Sequence, residues 1–226
     1  MRPWNIIDHE RVPDDDAVLY LVSRGSEYTI RVDHRELMSN TAHGSEDALA
    51  EYACAALENS EDPTILIGGL GMGFTLAAAL NYVGSAAQVT VAELIPAVVR
   101  WNREHVGRAA GYPLDDPRVS VFVGDVIELV ETPPAPWSAI LLDVDNGPYA
   151  LTRPANGWLY TREGLIAARE ALIPGGILAI WSALGSASLT RRLKKAGFKV
   201  EVIRYVEDDR PTQQDGGVHF LWLARR

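Results

Sequence analysis

Two kinds of hydrophobic pattern alternate along most of the chain. After Pro63, short and nearly continuous runs of Val, Ile and Leu alternate with segments whose apolar residues recur at helical spacing. Strands of that composition are buried on both faces, which is typical of a parallel sheet covered by helices on each side. Right-handed crossovers then predict a doubly wound α/β fold. The predicted strands occupy residues 64–69, 88–94, 118–125, 138–145 and 176–183, and the predicted helices occupy 73–83, 96–106, 126–131 and 164–173.

The C-terminal part of the chain predicts one reversed strand. Residues 199–207 and 218–225 are strand-like and follow a predicted helix at 188–197. The polar segment of about ten residues between these strands contains no helix, so they are expected to pair antiparallel. A mostly parallel, seven-stranded Rossmann-like sheet with one antiparallel strand resembles the element order of class I S-adenosylmethionine-dependent methyltransferases.

The N-terminal part predicts a small β element. Residues 17–24 and 27–33 are two strand-like runs, and the Gly-Ser pair between them suits a tight hairpin turn. A helical pattern follows at 45–57, with Ser45 as the expected N-cap. We therefore expect a small N-terminal β element over residues 1–42 and a methyltransferase-like domain over residues 43–226.

Composition narrows the functional classes. The 226 residues carry a net charge of −9, and basic residues cluster only at 191–195, which disfavours a nucleic-acid surface. Cys54 is the sole cysteine, and the histidines lack metal-ligand spacing, so no disulfide and no metal site are expected. We see neither a signal-peptide pattern nor an apolar run of the roughly 18 residues that a bilayer requires. The prediction is a cytoplasmic protein without a membrane contact.

A glycine-rich loop lies where ligands bind in such folds. The segment "ILIGGLGMGFTLAAAL", residues 65–80, places Gly68, Gly69, Gly71 and Gly73 at the end of the first parallel strand. Glycine permits positive φ angles and lets the backbone approach a ligand closely. Since ligands bind beyond the carboxyl ends of the strands, these glycines predict a nucleotide-type ligand. The alternative is a tight turn that holds no ligand.

Acidic residues end the next two strands. Glu93 is placed to accept hydrogen bonds from the hydroxyls of a ribose. Asp125, which follows Gly124, is expected to pair with an adenine amino group while Val126 packs on the ring; capping of the next helix is the alternative role of Asp125. Together with the glycine loop, these residues predict an adenosine site. The loop spacing G-G-x-G-x-G differs from the G-x-G-x-x-G of dinucleotide oxidoreductases, which disfavours that class.

Several motifs together resemble spermidine synthase and the other polyamine aminopropyltransferases, over roughly residues 17–205. These motifs are "HGSEDAL", "ILIGGLGMG", "VTVAEL", "DPRVSVFVGD", "AILLDVDNGP" and "LYTREGL". The resemblance implies a small N-terminal β domain and a methyltransferase-like domain that binds decarboxylated S-adenosylmethionine. It also implies transfer of an aminopropyl group to an amine, and a homodimer.

The resemblance extends to the catalytic aspartate. In the family, an aspartate after the fourth strand of the parallel sheet takes up the proton of the attacking amine, within a D-x-x-D-P signature. Asp143 matches its first aspartate, whereas Asp145 is displaced by one position in "DVDNGP". A carboxylate near the sulfonium can orient a cationic amine or accept its proton. We predict that Asp143 and Asp145 are catalytic and that Asp143 also contacts the cofactor, the alternative being a turn-forming role.

Other positions depart from the family. Gly71 stands where the G-G-G-D-G motif has the acidic residue that binds the amine of the decarboxylated cofactor. The Y-H-E motif is replaced by Gly44, Ser45 and Glu46, and an expected glutamine by Leu37. These losses favour S-adenosyl-L-methionine as the donor and methyl transfer to a small-molecule acceptor. Aminopropyl transfer to an amine is the alternative, and a non-catalytic nucleoside-binding protein is a second one.

The acceptor wall is expected from the Pro/Gly/Asn-rich segment at 146–160 and from the start of the helix at 45–57. Aromatic side chains in this segment can enclose a cationic or aromatic acceptor, although Trp158 can instead pin the segment to the core. Trp181, at the end of its strand, is expected in the core or at the pocket. The predicted substrate residues are His43, Glu46, Asn146, Tyr149, Trp158 and Tyr160.

Overall fold

Two β-sheets form the framework of the described part of the chain. The computed structural model describes residues 3–13, 16–32, 35–57, 62–144, 154–206 and 217–226. Within these ranges a four-stranded antiparallel sheet precedes a seven-stranded sheet. No helix in these ranges combines the length and the apolar character needed to cross a membrane.

The N-terminal sheet has the strand order β1-β2-β3-β4. Its strands are β1 (Asn5–Arg11), β2 (Val18–Arg24), β3 (Glu27–Val32) and β4 (Arg35–Ser39). The predicted hairpin is β2 and β3, which pair antiparallel. The outer strands β1 and β4 were not predicted. Most of their side chains are exposed or half-buried, so their sequences lack the apolar alternation that marks a strand.

The larger sheet has the strand order β10-β11-β9-β8-β5-β6-β7. Its strands are β5 (Thr64–Gly68), β6 (Gln88–Glu93), β7 (Val119–Val123), β8 (Trp137–Leu142), β9 (Leu172–Ser182), β10 (Lys199–Val206) and β11 (Val218–Arg225). Strand β11 lies between β9 and β10 and pairs antiparallel with both. The central pairs are parallel. The predicted sheet with one reversed strand is therefore confirmed.

Helices cover both faces of this sheet. They are α1 (Gly44–Ala55), α2 (Phe74–Tyr82), α3 (Pro96–Trp101), α4 (Val126–Glu131), α5 (Arg162–Ala171) and α6 (Ala187–Lys195). The expected N-cap at Ser45 was wrong, because α1 begins at Gly44 and its N-cap is His43. The Ser45 hydroxyl instead donates to Glu46 Oε2 at 2.7 Å, in the first turn of the helix.

The core lies on both faces of β5. Ile65 and Ile67 pack in one buried cluster with residues of α1, α2 and α3, whereas Leu66 packs in the opposite cluster with residues of α4, α5 and α6. All three are fully buried. Because side chains alternate across a strand, a strand covered on both faces needs this continuous apolar run. The carboxyl end of β5, where the glycine loop begins, is thereby held between two packed layers.

The N-terminal sheet is attached to the larger unit through Asp8. Its Oδ2 atom accepts hydrogen bonds from Trp101 Nε1 at 2.8 Å and from Arg100 Nη2 at 2.7 Å. These two bonds hold the pKa of Asp8 at about 2. Leu19 and Ile30 also join the cluster that contains Ile65. The two sheets share one core, and the domain boundary between residues 42 and 43 stays a prediction.

Candidate functional site

A cavity lies at the carboxyl ends of the central parallel strands, and we call it the donor cavity. Most of the predicted cofactor residues line it: Gly69, Gly71, Glu93, Gly124, Asp125, Val126 and Asp143. The N-terminal part of the chain adds to its wall Val12, which directly follows β1, and four residues of the sheet, Leu19, Ile30, Leu37 and Met38. The sequence did not predict this second set, because it comes from a different sheet. Because parallel strands end at the same edge of the sheet, residues that are far apart in the chain meet at this cavity.

The glycine loop is shaped by close backbone packing. Gly69 has a φ of +88°, and a Cβ atom there would lie 2.4 Å from the carbonyl oxygen of Asp143. Its N–H donates to the Ala92 carbonyl, so the loop sits between the ends of β6 and β8. Gly68 is the last residue of β5, and Gly73 is the N-cap of α2 with a φ of +87°. Chain geometry therefore explains part of the glycine content, while Gly69 and Gly71 line the donor cavity.

Glu93 joins the glycine loop to the end of β6. Its side chain is buried, and Oε2 accepts from the Leu70 N–H at 3.0 Å while Oε1 accepts from the Ile95 N–H at 2.8 Å. Burial raises the pKa of Glu93, and the surrounding backbone N–H donors oppose that rise. Glu93 also lines the donor cavity, where a carboxylate oxygen can accept a hydrogen bond from a ribose hydroxyl. The loop-holding role was not foreseen from the sequence.

Asp125 takes its predicted capping role and also lines the donor cavity. It is the N-cap of α4, where its Oδ1 accepts from the Ile127 N–H at 3.0 Å, and it also lines the donor cavity. Val126 is buried beside it and lines the same cavity. A cap of this kind fixes the carboxylate at the helix start. The pairing with an adenine amino group stays a prediction.

Asp143 directly follows β8 and lines two adjoining cavities. Its Oδ2 accepts a hydrogen bond from Thr75 Oγ1 at 2.6 Å. Removal from water raises the pKa of Asp143 to about 6, against the opposing effect of the Thr75 hydroxyl. Thr75 was missed by sequence reasoning. The available signal was a hydroxyl in the first turn of the helix that follows the glycine loop.

The second cavity, which we call the acceptor cavity, adjoins the donor cavity. Its lining residues are Leu37, Met38, Ser39, Glu46, Leu70, Gly71, Met72, Phe74, Thr75, Asp143 and Trp181. The ionisable side chains in this set belong to Glu46 and Asp143, and the set contains no lysine, arginine or histidine. A lining that combines two carboxylates with the aromatic side chains of Phe74 and Trp181 favours a cationic ligand.

Trp181 lines the acceptor cavity. This is one of the two positions, core or pocket, that the sequence predicted for it. Its ring stacks on His219 with a centroid separation of 5.0 Å. Its Nε1 atom is buried and has no hydrogen-bond partner in the described part of the chain.

Three further predicted substrate residues, His43, Trp158 and Tyr160, do not belong to the described lining of either cavity. The His43 ring stacks on Phe74 at 3.9 Å, and its Nδ1 lies 2.8 Å from Asp47 Oδ2. Trp158 and Tyr160 pack in the core cluster that contains Leu66, because the chain leading into α5 lies against that face of the sheet. A substrate contact by these three side chains stays a prediction. Asp145, Asn146 and Tyr149 lie outside the described residues.

Comparisons with known proteins agree with this architecture. The polyamine aminopropyltransferase of Korarchaeum cryptofilum is 29% identical over 136 residues, which are 60% of this chain and 40% of that protein. Polyamine aminopropyltransferase 2 of Pseudomonas aeruginosa is 30% identical over 130 residues, 56% of this chain and 35% of that protein. The chain resembles the polyamine aminopropyltransferases. The matches span less than half the length of these curated relatives, and no family model matches the chain.

Solved structures share this fold. The spermidine synthase of Thermotoga maritima has a TM-score of 0.75 and 18% identity, covering 97% of this chain and 72% of that chain. A spermidine synthase in complex with the transition state analogue AdoDATO has a TM-score of 0.74, with the same identity and coverage. The mostly parallel sheet preceded by a small β-sheet is therefore the fold of spermidine synthases.

One departure from the aminopropyltransferase motif has a visible structural counterpart. A Cβ atom on Gly71 would lie 3.0 Å from the Sδ atom of Met38, so the thioether of Met38 occupies the space beside this glycine. An apolar side chain from β4 thus lies beside Gly71, the position that is acidic in the motif that this segment resembles.

Proposed function

We propose that this protein transfers an aminopropyl group from decarboxylated S-adenosylmethionine to a small amine. The curated relatives carry the name polyamine aminopropyltransferase, which supports this reaction over the methyl transfer that the sequence motifs favoured. The observation that carries the proposal is the position of Asp143, which lines both the donor cavity and the acceptor cavity. A carboxylate at that junction lies beside both reacting atoms, which are the nitrogen of the amine and the carbon that the donor transfers.

The order of the strands supports one orientation of the donor. Neighbouring strands run β7, β6, β5 and β8 across the sheet, so Asp125, Glu93, Gly71 and Asp143 follow one another along its carboxyl edge. Adjacent strands lie about 4.8 Å apart, a spacing that suits the length of an adenosine. With adenine at Asp125 and ribose at Glu93, the sulfonium reaches Gly71 and Asp143.

The reaction then follows from the two cavities. Glu46 and Asp143 hold the amine as a cation, and the nitrogen that reacts loses a proton to the Asp143 carboxylate. That nitrogen attacks the carbon bonded to the sulfonium in line, so that a C–N bond forms as the C–S bond breaks. The electron pair of the C–S bond goes to sulfur, which leaves as the neutral thioether of methylthioadenosine. Positioning supplies much of the rate, because the sulfonium already activates the carbon.

Methyl transfer to the same amine is the second candidate. Gly71 favours it, because position 71 carries no side-chain carboxylate that could pair with the ammonium group of a decarboxylated donor. The acceptor cavity and Asp143 would serve both reactions in the same way.

The deciding experiment compares products from the two donors. The purified protein is incubated with either donor and a series of linear diamines, and mass spectrometry detects methylthioadenosine and S-adenosylhomocysteine. Amine-dependent methylthioadenosine supports aminopropyl transfer, and amine-dependent S-adenosylhomocysteine supports methyl transfer. Asp143→Asn serves as the matched variant, which is expected to lose the product while it still binds the uncharged methylthioadenosine. Donor binding without either product would favour the non-catalytic, nucleoside-binding alternative.

A further inference from the structure

The donor and acceptor cavities meet along a short strip of residues. Leu37, Met38, Gly71 and Asp143 line both of them. Any group that passes from donor to acceptor has to cross this strip. Asp143 supplies the charge at this crossing, and the other three residues supply its walls.

Gly71 forms a fixed wall of the crossing. Its carbonyl oxygen accepts a hydrogen bond from Asn102 Nδ2 at 2.8 Å, and the same amide donates to the Val98 carbonyl at 3.0 Å. Asn102 is itself buried. The backbone of Gly71 has a φ of +53°, which few residues other than glycine adopt readily. The glycine is therefore anchored to α3 and to the turn that follows it.

Met38 lies directly beside Gly71 and forms an adjustable wall. It reaches from β4, and its Sδ and Cε atoms would lie 3.0 Å and 3.3 Å from a Cβ atom placed on Gly71. An unbranched methionine side chain has three rotatable bonds and adapts to irregular space. Since the glycine has no side chain and is anchored, the bulk of Met38 sets the width of the crossing.

We propose that Met38 is a specificity-determining residue that limits the size of the chain carried by the donor's sulfur. The inference rests on the proposed function, in which the sulfonium lies beside Gly71 and Asp143. The thioether leaves room for the unbranched, decarboxylated chain and crowds the chain of S-adenosylmethionine, which carries an additional carboxylate. The apolar wall also offers the added carboxylate no hydrogen-bond donor, which disfavours its burial.

Calorimetry with three ligands tests this role without requiring catalysis. Dissociation constants are measured for S-adenosylmethionine, its decarboxylated form and methylthioadenosine, which carries only a methyl group on sulfur. In Met38→Ala, the preference for the decarboxylated donor over S-adenosylmethionine is expected to fall at least fivefold, with methylthioadenosine affinity changed less than twofold. Met38→Leu, which keeps the bulk, is expected to retain the preference.

The control is Val98→Ala, because Val98 lines the donor cavity and is absent from the strip between the cavities. It is expected to change the affinity of all three ligands by a similar factor. Thermal melting verifies that each variant folds. If Met38→Ala does not fold, Met38→Val takes its place.

An unchanged donor preference in folded Met38→Ala or Met38→Val would overturn the inference. A change of the donor preference by the same factor in Val98→Ala would also overturn it. Failure of the proposed function gives a different result. If neither donor yields a product while the preference still shifts, the transfer is refuted and the role of Met38 in ligand selection stands. If none of the three ligands binds, both are refuted.

Discussion

The hydroxyl of Thr75 donates a 2.6 Å hydrogen bond to Oδ2 of Asp143, and this bond joins the first turn of α2 to the end of β8. The two residues are far apart in the sequence and meet only because β5 and β8 are neighbours in the sheet. The bond fixes one carboxylate oxygen and stabilises the ionised form, while removal from water favours the neutral form. Their balance sets the pH range in which Asp143 can accept a proton.

We expect kcat/KM to fall as the pH drops through about 6, because protonated Asp143 cannot act as a base. Thr75→Val removes the donor that lowers the pKa of Asp143, so the acidic limb should move to higher pH. At pH 6 this corresponds to a roughly two- to threefold lower kcat/KM. Thr75→Ser keeps the hydroxyl and serves as the control. The pH dependence of kcat/KM measures the shift, and an acidic limb that stays in place in Thr75→Val would contradict it.

Asp143→Asn should stabilise the folded protein at neutral pH. The folded-state pKa of about 6 exceeds the ordinary value of 3.8, so the ionised side chain costs stability above pH 6 and this cost disappears as the pH falls toward 4. A shift of about two pKa units corresponds to about 1 to 3 kcal/mol. Urea denaturation at pH 7.5 and pH 4 measures the difference, with exposed Asp115→Asn as the control. A destabilised Asp143→Asn protein at pH 7.5 would contradict the prediction.

Glu46→Gln should weaken acceptor binding while donor binding is unaffected, because Glu46 lines only the acceptor cavity. Loss of one charge-assisted interaction is worth about 1.5 to 3 kcal/mol, so the KM for the amine should rise roughly 10- to 100-fold. Steady-state kinetics and donor calorimetry separate the two effects. The control is Glu51→Gln on the exposed side of the same helix. Equal losses of donor and acceptor affinity would argue against a specific amine contact.

Alanine substitutions at three glycines separate backbone strain from steric overlap. Gly69 combines a φ of +88° with a Cβ position 2.4 Å from the Asp143 carbonyl, Gly111 has a φ of +76° with open space, and Gly84 has open space alone. We expect Gly69→Ala to lower the free energy of unfolding by about 3 kcal/mol or more and to abolish donor binding. Gly111→Ala should cost about 1 kcal/mol, and Gly84→Ala less than about 0.5 kcal/mol. Urea denaturation orders the three, and a Gly69→Ala protein no less stable than Gly111→Ala would contradict the steric explanation.

The sequence by itself determined the seven-stranded sheet and the position of the donor cavity. Strands buried on both faces require continuous apolar runs, so β5, β6 and β8 are visible in the order of residues alone. The glycine loop, Glu93 and Asp125 each end a strand, and parallel strands end at the same edge. These features depend on local hydrophobic periodicity and on strand direction, and both can be deduced from the order of residues. The outer strands β1 and β4 carry no such periodicity and were missed.

Only the tertiary structure decided which side chains meet in the two cavities. The contact of Met38 with Gly71 joins the N-terminal sheet to the glycine loop, and the bond of Thr75 to Asp143 joins a helix to a distant strand end. The burial of Tyr160 in the core likewise depends on the path of the chain before α5. Such contacts arise between segments that are distant in sequence and are brought together by packing. No local sequence pattern encodes the distances between such side chains. The pKa of Asp143 and the width of the crossing between the two cavities therefore depend on the tertiary structure.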